Sequence, residues 1–185
     1  MQKLQEILKK VLISEADLQS RIAELGAQIT RDYAGEPVLM ICILRGGVMF
    51  LTDLIRHIDL PVSIDFMAVS SYGAGRYESS GNVKITLDLN SNLAGQHVMI
   101  VEDIIDSGHT LSSVVAMLET RRPKSLKICT LLDKAERREV DVKVDYAGFV
   151  IPNEFVFGYG LDLDEYYRNL PYIGVVDLEK YHPES

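Results

Sequence analysis

Residues 97–114, HVMIVEDIIDSGHTLSSV, join an apolar run to a short turn rich in acidic and hydroxyl side chains. The run HVMIV (97–101) has no polar alternation, which predicts a strand buried on both faces. The segment TLSSVVAMLET (110–120) predicts the helix that follows the turn. This order of strand, turn and helix is typical of a parallel sheet covered by helices.

The same order recurs elsewhere in the chain. VLMICIL (38–44) precedes the turn LRGG and the amphipathic segment GVMFLTDLIRHI, and SLKICTLL (125–132) is a further apolar strand. SIDFMAVSS (63–71) and VKITLDL (83–89) have extended character on either side of a polar, Gly-rich tract. The pattern predicts an α/β protein with a parallel sheet, right-handed connections and helices on both faces.

The chain ends are expected to belong to the same folded unit. Ser14 and Asp17 predict a helix start, and Leu18, Ile22, Leu25 and Ile29 continue it at helical spacing until Gly35 and Pro37 end it. We interpret the charged and apolar segment before Ser14 as part of the folded protein. From about Val144, the β-like pieces YAGFVI and YIGVVD are expected to cap the sheet edge, so residues 1–185 are predicted to form a single domain.

Composition narrows the class of protein. A formal net charge of −8 argues against a general binder of nucleic acid or anionic membrane. Cys42 and Cys129 lie inside apolar runs, which predicts buried, reduced thiols and a cytoplasmic location. No run approaches the length of a membrane span.

The turn at residues 106–110 has the chemistry of a phosphate cradle. It lies where a strand passes into a helix, so unpaired backbone N–H groups and the positive end of the helix dipole meet there. Ser107 and Thr110 add hydroxyl donors, and Gly108 allows close approach of the backbone to an oxyanion. Small hydroxyl residues also simply cap helices, so the turn alone leaves both interpretations open.

Glu102 and Asp103 place two carboxylates beside this turn, where like charges would repel a phosphate. Mg²⁺ would reconcile them, because it favours oxygen ligands and bridges carboxylates, waters and phosphates. Two common nucleotide motifs are excluded. GxxxxGK[ST] is absent, and GAGRYESSG has Glu78 where GxGxxG needs its third glycine, which disfavours P-loop ATPases and Rossmann dehydrogenases.

Two acids, two aliphatic residues, Asp, Ser, Gly, any residue and Thr after an apolar strand resemble the phosphoribosyl-diphosphate (PRPP) motif of type I phosphoribosyltransferases. LRGG, SYG…SSG, LLDK, FVFGYGLD and EYYRNLPYIGVV narrow the resemblance to the 6-oxopurine branch, the hypoxanthine-guanine phosphoribosyltransferases, over residues 38–177. The resemblance implies that family's fold with a small hood formed by terminal segments, an enzyme of purine salvage, Mg²⁺ as cofactor, PRPP and a 6-oxopurine as substrates, and a dimer or tetramer.

The resemblance also implies site residues. The PRPP motif comprises Glu102, Asp103, Ile104, Ile105, Asp106, Ser107, Gly108, His109 and Thr110. Within it, residues 107–110 would hold the 5-phosphate, Glu102 and Asp103 the ribose hydroxyls and Mg²⁺, and Asp106 would accept the proton from purine N7 as the catalytic base. The diphosphate contacts would be Arg45, Gly46, Gly47 and Arg168, with a non-proline cis peptide in that loop.

For the purine, the resemblance implies that Lys134 donates to O6, that Phe155 stacks on the base, that Val156 offers backbone groups, and that Glu154 borders them. Asp162 would lie at the same end of the site and bind a second Mg²⁺. Ser71 and Tyr72 would begin a loop that closes over the site. Arg45 and His109 stand where the mammalian proteins often have lysine.

Three alternatives stay open at this point. A regulator of the same fold that binds PRPP and nucleic acid would need a basic face. An adenine or pyrimidine phosphoribosyltransferase would keep the PRPP motif but differ around Lys134 and Phe155. A flavodoxin-like binding module would form no PRPP-dependent product.

Overall fold

The structure, a computed structural model, describes residues 4–71 and 83–182. In chain order its elements are α1 (Leu4–Ile7), β1 (Leu8–Ile13), α2 (Glu15–Tyr33), β2 (Val38–Leu44), α3 (Val48–Ile55), β3 (Val62–Ser71), β4 (Val83–Leu87), β5 (His97–Ile105), α4 (His109–Glu119), β6 (Ser125–Asp133), a 3-10 helix (Ala135–Arg137), β7 (Tyr146–Val150), β8 (Val156–Phe157) and β9 (Ile173–Val176).

The main sheet has six strands in the order β4-β3-β2-β5-β6-β7. Only the β3–β4 pair is antiparallel, and the other neighbours run parallel. The predicted α/β fold with a largely parallel sheet is therefore confirmed. Because β2, β5 and β6 are parallel, the loops that follow them meet at one edge of the sheet, where ligands bind in folds of this kind.

Helices cover both faces of the sheet. Alternate residues of the central strands pack into two separate cores: Met40 and Met99 lie with α2 and α3, whereas Ile41 and Ile100 lie with α4. Burying each of these aliphatic side chains contributes about 1.5–3 kcal/mol. This two-sided burial explains why the strands read as continuous apolar runs.

Helix α2 begins and ends as the sequence predicts. The Ser14 side chain accepts a hydrogen bond from the Asp17 N–H at the amino end. At the other end Ala34 adopts a left-handed conformation, with Gly35 following at φ +88°. Of the helices within residues 4–71 and 83–182, none is long and apolar enough to cross a membrane. Cys42 and Cys129 are buried and unpaired, as predicted, and burial raises the pKa of the Cys42 thiol to about 12.

A second, three-stranded sheet in the order β1-β9-β8 forms the hood. The N-terminal strand β1 pairs antiparallel with β9, so the segment before Ser14 is part of the fold, as interpreted, and YIGVVD lies in the hood. The prediction for YAGFVI was wrong. It is β7, the outer strand of the main sheet, paired with β6. Gly148 interrupts its apolar pattern because a Cβ there would lie 2.4 Å from the Leu131 carbonyl oxygen.

Strand β5 is longer than its apolar run suggests. Its pairing with β6 continues past Val101 through Glu102 to Ile105, opposite Asp133. Glu102 and Asp103 therefore belong to the strand instead of lying beyond its end. The rigid sheet, and not a loop, sets the positions of these carboxylates.

Asp65 on β3 is buried, with 7% of its surface exposed, and joins the main sheet to the turn after β4. Its carboxylate accepts hydrogen bonds from the backbone N–H groups of Phe66, Asn90 and Ser91 at 2.8–2.9 Å. Burial by itself would raise the pKa of Asp65, but these donors outweigh it and hold the pKa below the usual 3.8.

We expect Asp65→Asn to lower the free energy of unfolding by about 1–3 kcal/mol at neutral pH, because an amide NH₂ would face backbone donors. The folded pKa is depressed, so the stabilisation is present above the unfolded pKa and is lost as the pH falls through the folded value. The gap between variant and parent should therefore narrow in acid. Urea denaturation at neutral and acidic pH measures it, with the exposed Asp141→Asn as control. Equal midpoints at neutral pH would contradict the prediction.

Candidate active site

The predicted site residues meet at the carboxyl edge of the main sheet. The loops after β2, β5 and β6 leave this edge side by side because the three strands are parallel and in register. The hood reaches the same place, since a Cβ on Gly160 would lie 2.1 Å from the Gly46 carbonyl oxygen. Segments far apart in the chain thus enclose one site.

Residues 106–110, the predicted phosphate turn, lead into the N-terminus of α4. Replacing Gly108 in this turn would strain the backbone. Gly108 has φ +90° and precedes α4, and a Cβ on it would lie 2.9 Å from the Val140 carbonyl oxygen. The first N–H groups of α4 have no intrahelical acceptor and present a positive dipole end to the sheet edge. The Ser107 carbonyl accepts hydrogen bonds from the N–H groups of Glu139 and Val140 at 3.0 and 3.2 Å. This contact fixes the turn from behind.

Glu102 and Asp103 lie just before this turn with little charge compensation. Burial raises the pKa of Asp103 to about 6, although the Ile104 N–H and the charge of Arg168 oppose the rise. Burial, reinforced by Asp103, also raises the pKa of Glu102 well above its usual 4.5. Among the residues that the structure describes, none donates a hydrogen bond to Glu102 Oε2. Ionised carboxylates in such a place call for a cation.

This donor set fits Mg²⁺, which favours carboxylate oxygen and usually keeps waters or substrate oxygens in its shell. Side chains alone do not complete a metal site: within residues 4–71 and 83–182, no three His, Cys, Asp or Glu residues cluster suitably. The third predicted ligand, Asp162, already pairs through Oδ1 with Arg168 at 2.8 Å and accepts the Glu165 N–H through Oδ2 at 2.9 Å. A cation at Asp162 would therefore compete with Arg168.

Asp106 is flanked by two cations. Lys134 Nζ, on a largely buried side chain, donates to Asp106 Oδ2 at 3.4 Å, and Arg137 Nε lies 2.9 Å from Oδ1. Lys134 and Asp106 are thus neighbours. This is the arrangement that the predicted donor to O6 and the predicted acceptor at N7 would need, because these two purine groups are adjacent. The involvement of Arg137 could not be predicted from the sequence, because arginine after a strand usually lies in solvent.

The loop of residues 45–47 approaches the acids closely. The Leu44–Arg45 peptide is cis, as the family resemblance implies for this loop. A Cβ on Gly46 would lie 1.5 Å from Asp103 Oδ2, so a larger residue there would displace the Asp103 carboxylate. A Cβ on Gly47 would lie 3.1 Å from Cys42 Sγ.

Glu165 joins the two predicted diphosphate arginines. Its carboxylate contacts Arg45 Nη2 at 2.8 Å and Arg168 Nη2 at 3.5 Å. Arg168 also donates to the Gly160 carbonyl at 2.8 Å, and so is held more firmly than Arg45, whose side chain is 67% exposed. Glu165 was missed in the sequence. Its spacing from Arg168 offered a weak signal, but nothing indicated its contact with Arg45.

The predicted purine residues of the hood have mixed positions. Phe155 is 40% exposed, which an aromatic stacking platform requires. Val156 is buried and pairs with Val175 in the hood sheet. Glu154 forms an ion pair with Lys10 of β1 at 3.0 Å, a contact that ties it to the hood.

The remaining predicted residues lie at the rim. His109 Nε2 lies 3.0 Å from Glu139 Oε2, so its side chain is engaged by the segment behind the turn. Thr110 lies in the first turn of α4 and Ile105 ends β5. Ser71 is the last residue of β3, at the same sheet edge, whereas Tyr72 lies outside the described residues.

Comparison with known proteins adds independent evidence. A family model described as "Phosphoribosyl transferase domain" matches residues 14–164. The hypoxanthine-guanine phosphoribosyltransferase of Streptococcus thermophilus is 49% identical over 179 residues, which cover 97% of this chain and 99% of that protein. A crystal structure of a hypoxanthine phosphoribosyltransferase from Staphylococcus aureus has a TM-score of 0.91 and 51% identity, covering 95% of each chain.

Another relative is longer than this chain. The bifunctional protein TilS/HprT of Listeria monocytogenes is 52% identical over 174 residues, but the chain spans only 27% of its length. The family model covers most of the chain, and the Streptococcus thermophilus relative is matched over nearly its whole length. This chain belongs to the phosphoribosyltransferase family, within its hypoxanthine-guanine branch.

Proposed function

We propose that this protein is a hypoxanthine-guanine phosphoribosyltransferase. It transfers the 5-phosphoribosyl group of PRPP to hypoxanthine or guanine and releases diphosphate, giving IMP or GMP in purine salvage. The observation that carries the proposal is the pair Lys134 and Asp106, 3.4 Å apart beside the phosphate turn. Proteins of that name that are 49% and 52% identical over nearly the full length of this chain support it.

The chemistry of the base explains why this pair matters. A 6-oxopurine presents O6 and N7 as neighbouring groups on one edge, whereas adenine has an amino donor in place of O6. The Lys134 ammonium can only donate, so it favours O6 and opposes the adenine amino group. Asp106 lies beside it to accept the N7 proton. Phe155 would stack on the ring, with Val156 and Glu154 along its edge.

The proposed reaction forms a bond from the purine nitrogen to C1′ while the bond from C1′ to the diphosphate oxygen breaks. The electron pair of that bond leaves with diphosphate, and the N7 proton passes to Asp106. The N–H groups of the phosphate turn hold the 5-phosphate, and Arg45 and Arg168 offset the growing charge on the leaving group. General-base assistance of this kind contributes about 10²–10⁴ in rate.

Glu102 and Asp103 would bind the ribose hydroxyls and hold Mg²⁺, with Asp162 beside a second ion. Mg²⁺, when bound, neutralises charge on the diphosphate oxygens. The residues themselves bring two fixed carboxylates to the sugar. Gly46 and Gly47 would let the diphosphate approach the backbone of their loop. Ser71 and Tyr72 would begin the loop that excludes water.

We also propose a cytoplasmic, single-domain protein that assembles as a dimer or tetramer and binds no nucleic acid. The acidic net charge of −8 supports the last point. Ile64 and Leu87 support the assembly, because they are exposed apolar residues on neighbouring strands β3 and β4. The alternation of β-strand side chains places both on the same face.

The deciding experiment is diphosphate release with PRPP and Mg²⁺ and one base at a time. Hypoxanthine and guanine should give product. Adenine should not, since it has an amino group where Lys134 selects a carbonyl, and orotate and uracil should not, since they lack the N7 group that Asp106 serves. Product with adenine or a pyrimidine alone, or none with any base, would reject the proposal. Xanthine tests the breadth of the site within the same class.

Replacing the proposed base should separate chemistry from binding. In Asp106→Asn we expect kcat to fall by about 10²–10⁴ while the Kd for PRPP stays within about threefold, because the amide keeps the shape but accepts no proton. Steady-state kinetics and calorimetry measure the two quantities. The exposed Asp59→Asn is the matched control, and a normal kcat in Asp106→Asn would remove this residue from proton transfer.

Removing one buried charge should make the metal-free protein more stable and weaken its binding of metal. At neutral pH and without metal, Asp103→Asn is expected to raise the free energy of unfolding by about 1–3 kcal/mol, because it removes a buried negative charge but keeps the acceptor for the Ile104 N–H. The stabilisation that Mg²⁺ with PRPP gives the parent should shrink in the variant. Thermal unfolding with and without these ligands provides both readouts, and a less stable metal-free variant would contradict the prediction.

A further inference from the structure

We infer that Arg137 is a positioning residue for Asp106: its guanidinium holds one carboxylate oxygen so that the other stays available beside Lys134. The inference rests on the proposed function, which assigns proton transfer to Asp106. Arg137 lies in the 3-10 helix directly after the purine lysine, and its Nε is 2.9 Å from Asp106 Oδ1.

The two oxygens of Asp106 have different surroundings. Oδ1 is shielded from solvent and, among the described residues, receives no directed hydrogen bond, so the ion pair with Arg137 compensates it. The side chain as a whole is 43% exposed, which leaves Oδ2 as the accessible oxygen. Oδ2 is also the oxygen to which Lys134 donates. The carboxylate therefore has one buried oxygen, Oδ1, paired with Arg137, and one accessible oxygen, Oδ2, beside Lys134.

Backbone contacts fix the distance between Arg137 and Asp106. The Lys134 N–H donates to the Ile105 carbonyl at 3.0 Å, and the Arg137 N–H donates to the Lys134 carbonyl at 2.9 Å. Beyond Arg137, the chain returns to the phosphate turn, where the Glu139 N–H donates to the Ser107 carbonyl. The segment of Arg137 is thus tied to the strand end before Asp106 and to the residue after it.

Neighbouring charged groups are engaged elsewhere. Arg138 donates to Asp133, and His109 faces Glu139. Of the charged side chains in the described part of the chain, only Lys134 and Arg137 form ion pairs with Asp106. Lys134 is also proposed to donate to O6 of the purine. Without Arg137, both carboxylate oxygens would compete for the Lys134 ammonium, and the pair would turn away from the purine edge.

Steady-state kinetics of Arg137→Gln tests the inference. We expect kcat/KM for hypoxanthine to fall by about 3- to 30-fold, as for a lost contact between coupled side chains. The KM for PRPP should not change, because the Arg137 side chain pairs with Asp106 and not with residues 107–110, which are proposed to hold the 5-phosphate. Arg137→Lys should restore part of the loss. The exposed Arg31→Gln is the matched control for removal of one arginine charge.

A double-mutant cycle separates positioning through Asp106 from a general effect on the fold. Adding Arg137→Gln to Asp106→Asn should cause no further loss in kcat/KM, because the carboxylate that Arg137 holds is already gone. An equal loss in both backgrounds, a change confined to the KM for PRPP, or unaltered kinetics in Arg137→Gln would each overturn the inference. Absence of product in the parent protein would instead refute the proposed function.

Discussion

The constraint on which this structure depends is the burial of two adjacent carboxylates in the last part of a central strand. Glu102 and Asp103 lie in β5, where pairing with β6 holds the backbone rigid. Their burial raises both pKa values, and no described residue donates to Glu102 Oε2. A cation and a polyhydroxylated ligand would satisfy these oxygens, so the free protein carries an energetic cost that ligand binding relieves.

Asp65 shows that this fold can bury an acid without such a cost. It lies on β3 of the same sheet with only 7% of its surface exposed, yet three backbone N–H groups satisfy it and lower its pKa. The same chemical group therefore stabilises the fold in one strand and strains it in another. The difference lies in the available donors, and it supports the proposed roles of Glu102 and Asp103.

Much of this architecture could be predicted because strands that are buried on both faces appear in the sequence as continuous apolar runs. The apolar runs of β2, β5 and β6 and the cap at Ser14 identify their elements directly. The prediction failed where pairing decides the outcome. YAGFVI is short and interrupted by Gly148, and its place beside β6 depends on partners that the sequence does not show. Likewise β5 continues through two acids because β6 continues opposite them.

The functional motifs were visible for a similar reason, since the turn chemistry of residues 106–110 is local. Contacts between distant segments were not visible. Arg137 meets Asp106, and Glu165 meets Arg45 across 120 positions of the chain. Each of these residues is an ordinary charged side chain in sequence. Only the fold shows that each contacts a predicted site residue.

The contacts of Glu165 suggest how an acidic protein can bind an anionic substrate. Its carboxylate occupies the space between Arg45 and Arg168, where the leaving diphosphate is proposed to bind. The ion pair with Arg45 is exposed on both sides, and such pairs are worth about 0–1 kcal/mol. Arg168 is held independently by the Gly160 carbonyl and Asp162. The proposed diphosphate would therefore replace Glu165 at Arg45 at little cost, while the Gly160 carbonyl keeps its contact with Arg168.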